Sequence, residues 1–220
     1  MYARDLISDA IPTLNTTDSV QRVLDRMSEF RVSHLPVVSD KELLGLIAED
    51  ELIQVSDFNA EIGSLDLHLR KYDLYEDQHV YDVIRLINEH HLTLVPVLDR
   101  QKNYMGVITL TSLTEYFATL TSIKEPGSII VLEINNRDNS LAHVAQIVES
   151  ENAQILSSYI QSFPDSTKLD LTIKLNRTDV SGIVASFLRY NYIVKATFND
   201  IKSDEGNQDR YDQLMNYLDI

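Results

Sequence analysis

The chain has 220 residues, 44% of them apolar, no cysteine and a formal net charge of −15 at pH 7. That length supports a buried core and two modules of ordinary size, and the absence of thiols excludes disulfides, thiolate catalysis and cysteine-ligated zinc. The negative field disfavours nucleic-acid and membrane partners, and Met1-Tyr2-Ala3-Arg4-Asp5-Leu6-Ile7 meets charge too early for a signal or membrane segment, so a soluble cytoplasmic protein is expected.

A short strand is expected around Leu14, then a helix after Asp18 in which Val20, Val23, Leu24 and Met27 fall at helical spacing. Asp18 with Gln21 three residues on reads as a capping pair, which the second copy lacks. Two β-branched strands follow, Leu35 to Val38 and Leu44 to Ile47, and a second helix carries Leu52. The pattern then repeats. Val32-Ser33-His34-Leu35-Pro36-Val37-Val38 returns as Leu92-Thr93-Leu94-Val95-Pro96-Val97-Leu98, an offset of 60 residues that already holds from Leu14 to Leu74. Leu44-Gly45-Leu46-Ile47 returns as Met105-Gly106-Val107-Ile108, offset by 61 after one extra hairpin residue. The second copy supplies Val80, Val83, Ile84 and Ile87 for its first helix and Leu113, Phe117 and Leu120 for its second. The unit is β-α-β-β-α, twice, and a duplicated unit of this kind forms a pseudo-two-fold body with a cleft between its copies.

Beyond Leu120, Lys124-Glu125-Pro126-Gly127-Ser128 marks a domain boundary. Ile129 to Ile134 reads as a strand, and Leu141, Val144, Ala145 and Val148 as a helix. Ile155 to Phe163 is a second strand, followed by a turn at Pro164-Asp165. Leu169, Leu171, Ile173 and Leu175 alternate with polar residues in a half-buried strand; Val180, Ile183, Val184, Phe187 and Leu188 mark a helix, and Ile193 to Phe198 a last strand. This βαββαβ order is ferredoxin-like, so the fold class is mixed α/β of the α+β kind. The expected division is residues 1–60 and 61–123 for the repeats, 126–200 for the third domain, and 201–220 for an acidic tail whose Tyr211, Leu214, Met215 and Leu218 share one helical face.

The repeated apolar-Pro-Val strand, followed by a Gly-apolar-apolar strand and a helix, resembles the CBS domain, and the tandem resembles a CBS pair, or Bateman module. The third domain resembles an ACT or ACT-like domain, with Asn136-Arg137-Asp138-Asn139-Ser140-Leu141 and Glu151-Asn152-Ala153-Gln154-Ile155 at the family's two turns, and Asn139 and Asn152 where glycines are usual. Asn tolerates the left-handed backbone region. The domain order resembles that of acetoin-utilisation accessory-type bacterial regulatory proteins. These resemblances imply a non-catalytic regulator, a homodimer, and a regulatory ligand that is AMP, ADP, ATP or S-adenosylmethionine for the CBS pair or an amino acid for the ACT-like domain.

Nucleotide-binding CBS repeats carry Gly-apolar-apolar-Thr/Ser-x-x-Asp, where a hydroxyl at a helix N-terminus donates to phosphate and a carboxylate accepts from ribose hydroxyls. Copy one reads Gly45-Leu46-Ile47-Ala48-Glu49-Asp50-Glu51, with the hydroxyl lost at Ala48 and Glu51 at the carboxylate place. Copy two reads Gly106-Val107-Ile108-Thr109-Leu110-Thr111-Ser112, with the hydroxyl kept and Ser112 at the carboxylate place. The candidate nucleotide contacts are therefore Thr109, Ser112 and Glu51, with copy two preferred. The alternative is that Thr109 and Ser112 only cap the following helix. Glu49, Asp50 and Glu51 set like charge beside the copy-one site, and neither fingerprint contains a basic residue.

No metal site is expected. His90 and His91 point about 100° apart on a helix, and His34 and His143 lack ligand-spaced partners. The run from Asp200 to Asp209 fails calcium-loop spacing, because Lys202 and Gly206 fall at the wrong positions. No nucleophile elbow, Walker loop or dinucleotide glycine motif is present, so catalysis has no support. The rival to a sensor is a ligand-free homo-oligomeric scaffold that recruits a protein partner through its sheet face or acidic tail.

Overall fold

The computed structural model describes residues 1–72, 74–135, 140–164 and 166–199. The chain forms two compact units that part between Tyr116 and Phe117. Asn139 and the tail stripe of Tyr211, Leu214, Met215 and Leu218 lie outside the described residues.

In the first unit α1 (Val20–Phe30), β1 (His34–Ser39), β2 (Glu42–Ala48) and α2 (Glu49–Leu52) recur as α3 (Val80–His90), β3 (Leu94–Leu98), β4 (Tyr104–Thr109) and α4 (Leu110–Leu120), whose C-terminal end runs past the division. The apolar stripes face inward as their spacing requires: Val20, Val23 and Met27 are buried on α1, and Val80, Val83 and Ile87 on α3. Each hairpin is antiparallel and carries one register shift, at Val37/Val38 in the first copy and Val97/Leu98 in the second. Both first helices end on a left-handed residue, Arg31 at φ 55° and His91 at φ 53°, after which Val32 and Leu92 donate back to Met27 and Ile87 carbonyls.

Two local expectations are corrected. The strands expected around Leu14 and Leu74 each shrink to one parallel bridge, Leu14 with Val37 and Tyr75 with Leu98. The chain turns at once, because the Asn15 N–H donates to Asp18 Oδ2 at 2.9 Å and the Tyr75 N–H to Gln78 Oε1 at 2.7 Å. That turn occupies Asp18, so the cap of α1 is Ser19, whose Oγ accepts from Arg22 N–H at 3.3 Å. The second copy has the same arrangement in other residues: Gln78 closes the turn and His79 Nδ1 accepts from Tyr81 N–H. Asp18 is 5% exposed and is neutralised by Arg22 and Arg26 at 3.3 and 3.5 Å.

The repeats are joined by reciprocal exchange. Ser8, ahead of the first copy, pairs with Val107 of β4, while Arg70, ahead of the second, pairs with Leu46 of β2. Gly45 and Gly106 make room for these strands, both with positive φ (153° and 146°). A single apolar core, from Ala3 to Leu113, runs through both copies.

In the second unit β5 (Ser128–Asn135), α5 (Leu141–Ser150), β6 (Ile155–Ser162), β7 (Lys168–Leu175), α6 (Ser181–Arg189) and β8 (Ile193–Asn199) follow in order. The four strands pair antiparallel in the order β6-β7-β5-β8. Ile130, Leu132, Leu171 and Ile173 alternate inward to a core shared with Val144, Ile147, Val148, Ile183 and Phe187 of the helices. Asn152 adopts φ 56°, the left-handed backbone that lets α5 turn into β6.

Candidate functional site

Thr109 ends β4 and immediately precedes α4, and its side chain is bound up with Ser112. The two hydroxyls are 2.8 Å apart, Ser112 N–H donates to Thr109 Oγ1 at 3.1 Å, and Thr109 N–H donates to Ser112 Oγ at 3.1 Å. This reciprocal pair satisfies helix-end donors in the manner of a capping box. A phosphate at the same place has to draw the Thr109 hydroxyl proton away from that pair. Glu51 stands on the short α2 of the other copy, where its Oε2 accepts from the His68 N–H at 3.1 Å. Two of the three candidate residues are thus brought together, and Glu51 is tied to the segment that enters the second repeat.

Between the copies lies a cluster that motif reading missed. Ser33 N–H donates to Thr93 Oγ1 at 3.1 Å, and His34 Nδ1 receives Thr93 N–H at 3.4 Å with Thr93 Oγ1 at 3.1 Å. The backbone donor assigns Nδ1 as an acceptor, so the proton of the neutral ring is on Nε2 and the Thr93 hydroxyl donates to Nδ1. Burial holds the His34 pKa below its usual value, opposed by the charge of Asp50, aided by that of Arg70 and opposed by Glu49. Arg70 therefore sits within electrostatic reach of His34, although the copy-one fingerprint itself contains no cation. Its signal was the offset: Ser33 and Thr93 are equivalent positions, and Arg70 is the counterpart of Ser8 in the strand exchange.

The remaining histidines sit at helix ends and in ring contacts. His90 closes α3 with its ring 4.8 Å from that of Tyr72, and His143 pairs with Tyr192. No group of three or more histidine or carboxylate side chains suited to a metal occurs among the described residues, and no helix among them is long and apolar enough to cross a membrane.

The family model described as "CBS domain" matches residues 3–57 and 74–119. The chain is 27% identical over 117 residues to a homoserine O-acetyltransferase of Methanosphaera stadtmanae, covering 52% of this chain and 24% of that protein. It thus spans about a quarter of that curated relative's length. A CBS domain pair/ACT domain protein from Thermotoga maritima is 18% identical with a TM-score of 0.48, covering 53% of this chain and 96% of the other. A putative acetoin utilization protein from Vibrio cholerae is 18% identical with a TM-score of 0.49, covering 56% and 95%.

Proposed function

We propose, from the premise that the first half of the chain is a tandem CBS domain pair, that this protein is a non-catalytic regulator whose pair binds an adenosine-type nucleotide. One observation carries the reading. Two equivalent strand-to-helix turns, Gly45 to Glu51 and Gly106 to Ser112, belong to repeats joined through Ser33, His34 and Thr93. At the second turn the Thr109 hydroxyl, placed just ahead of α4, suits a phosphate. At the first, Glu51 suits a ribose diol and Arg70 supplies the positive charge. The ligand is AMP, ADP, ATP or S-adenosylmethionine, and it acts by favouring one arrangement of repeats or of subunits in a homodimer.

We take residues 126–200 as an ACT-like domain, a reading supported by the strand order β6-β7-β5-β8 and by the left-handed Asn152. The repeats are assigned to 1–60 and 61–123, and the acidic tail to 201–220. A second reading, a ligand-free homo-oligomeric scaffold, is favoured by the mutual satisfaction of the Thr109 and Ser112 hydroxyls.

The test is a thermal-shift series of the full chain with each nucleotide, S-adenosylmethionine and amino acids. A ligand at about 100 times its Kd adds ~2.7 kcal/mol, several degrees for a domain of this size. Thr109→Ala removes cap and ligand contact together, so Thr109→Ser, which keeps both, is the control. The expected result is a nucleotide shift kept in Thr109→Ser and reduced in Thr109→Ala and Arg70→Gln. A shift indifferent to all three moves the site elsewhere, and silence across the panel favours the scaffold.

A further inference from the structure

We propose that the second unit carries a binding site for a small organic ammonium ion. A cavity of ≈ 460 Å³ opens at one end of its sheet, lined in part by Glu133, His143, Lys168, Tyr190, Tyr192 and Ile193. That volume is in the small-molecule range, ~300–1,000 Å³. Three rings stand together in its lining. The His143 ring centroid is 5.0 Å from that of Tyr190, in an edge-to-face arrangement, and 5.6 Å from that of Tyr192. Tyr192 is held in turn by Phe187 at 5.5 Å and by the 2.9 Å hydrogen bond between its hydroxyl and His143 Nδ1. Grouped aromatic faces attract cations through their ring quadrupoles.

The same lining holds a carboxylate, Glu133, that already receives an ammonium, Lys168. Glu133 Oε1 is 2.7 Å from Lys168 Nζ, but the carboxylate side chain is 18% exposed and the lysine 65%. The carboxylate is the fixed partner, while the lysine reaches it on a long flexible stem from the strand start. An exposed ion pair of this kind contributes little net energy, so little is lost when Lys168 swings aside for another ammonium. Lys168 is then the resident stand-in for the ligand's own cation. A ligand that places an ammonium on Glu133 lays its apolar body against Tyr190 and Ile193, which are 50% and 56% exposed. An anion has to take Lys168 away from Glu133 and gains nothing from the ring faces. A zwitterion has to insert between two groups already in contact, whereas a simple cation needs only the lysine to swing aside. The site lies wholly in the second unit and is independent of the nucleotide reading.

The test is NMR titration of the full chain, at about pH 8 and above the ordinary histidine range, with phenethylammonium and benzyltrimethylammonium as probes and with phenylacetate and phenylalanine as comparisons. The expected result is saturable movement of Tyr190, Tyr192 and Ile193 resonances with the two cations. Glu133→Gln weakens it about tenfold, the scale of a charge-assisted contact, and Lys168→Gln strengthens it. Tyr190→Leu, at a half-exposed position, provides a second loss-of-binding variant should Glu133→Gln disturb the sheet. No saturable response to either cation, binding unchanged in both Glu133→Gln and Tyr190→Leu, or equal or tighter binding of phenylacetate or phenylalanine overturns the proposal.

Discussion

His34 shows how one side chain records its surroundings. Burial lowers its pKa against the opposing charge of Asp50 and Glu49, with Arg70 acting in the same direction as burial. The unfolded chain therefore binds a proton more readily than the folded one, so this group's contribution is present above the unfolded value near 6.5 and is lost as pH falls through the lower folded value. Protonation also fills Nδ1, which receives Thr93 N–H at 3.4 Å. We expect the first unit to lose stability as pH falls below the unfolded value near 6.5, and His34→Asn to flatten that part of the profile. The difference between wild type and variant in urea midpoints across pH measures it, and identical slopes would exclude the role. Ser112→Asp belongs at the same scale. It places a carboxylate where α4 has its third residue, keeps an acceptor for Thr109 N–H and supplies an acceptor for a ribose diol, so calorimetry should find tighter nucleotide binding than in wild type, by about tenfold for a charge-assisted pair.

At the scale of elements, the glycines of β2 and β4 carry unequal constraints. A Cβ on Gly45 would stand 2.8 Å from Leu69 Cβ and 3.0 Å from the Leu69 carbonyl carbon, whereas one on Gly106 meets first the Ile7 Cγ2 at 2.5 Å. Backbone and Cβ atoms cannot step aside, but the end of an isoleucine side chain can rotate. Gly45→Ala should therefore cost more than Gly106→Ala, about 1–3 kcal/mol for an overpacked contact at positive φ. Chemical denaturation of the two variants ranks them, and the reverse order would mean that the exchanged strand at Arg70 is the more adaptable. α2 spans only Glu49–Leu52, with three acids in its first turn, while α4 has eleven residues and a capped start.

At the scale of the whole molecule, a net charge of −15 sets how anionic ligands arrive. Repulsion by that charge slows a polyphosphate more than a monophosphate, and salt shortens its range to about 10 Å near 0.1 M. If the CBS pair takes nucleotides, the association rate of ATP should rise with ionic strength more steeply than that of AMP in stopped-flow measurements. A fall for both would show that a local cation such as Arg70 governs the approach.

The sequence by itself determined the repeat, the order of elements in both units and the inward faces of α1, α3 and β7, because periods of 3.6 and 2 and the turn residues are local properties of the chain. It placed Thr109 and Ser112 three residues apart at a helix start, and Asn152 at a left-handed turn. It misplaced the cap of α1, since whether Asp18 or Ser19 faces the first amides depends on a turn closed by Asn15, and it overextended the strands at Leu14 and Leu74. Only the tertiary structure decided which segments cross between copies. Ser8 beside Val107, Arg70 beside Leu46, and Thr93 on His34 join residues far apart in the chain, and their pairing follows from burying one core common to both repeats. The same holds for Glu133, Lys168 and the rings of His143, Tyr190 and Tyr192, which β5, β7, α5 and the turn between α6 and β8 carry to one end of a sheet. No local pattern marks such a meeting, because it is long-range packing that sets it.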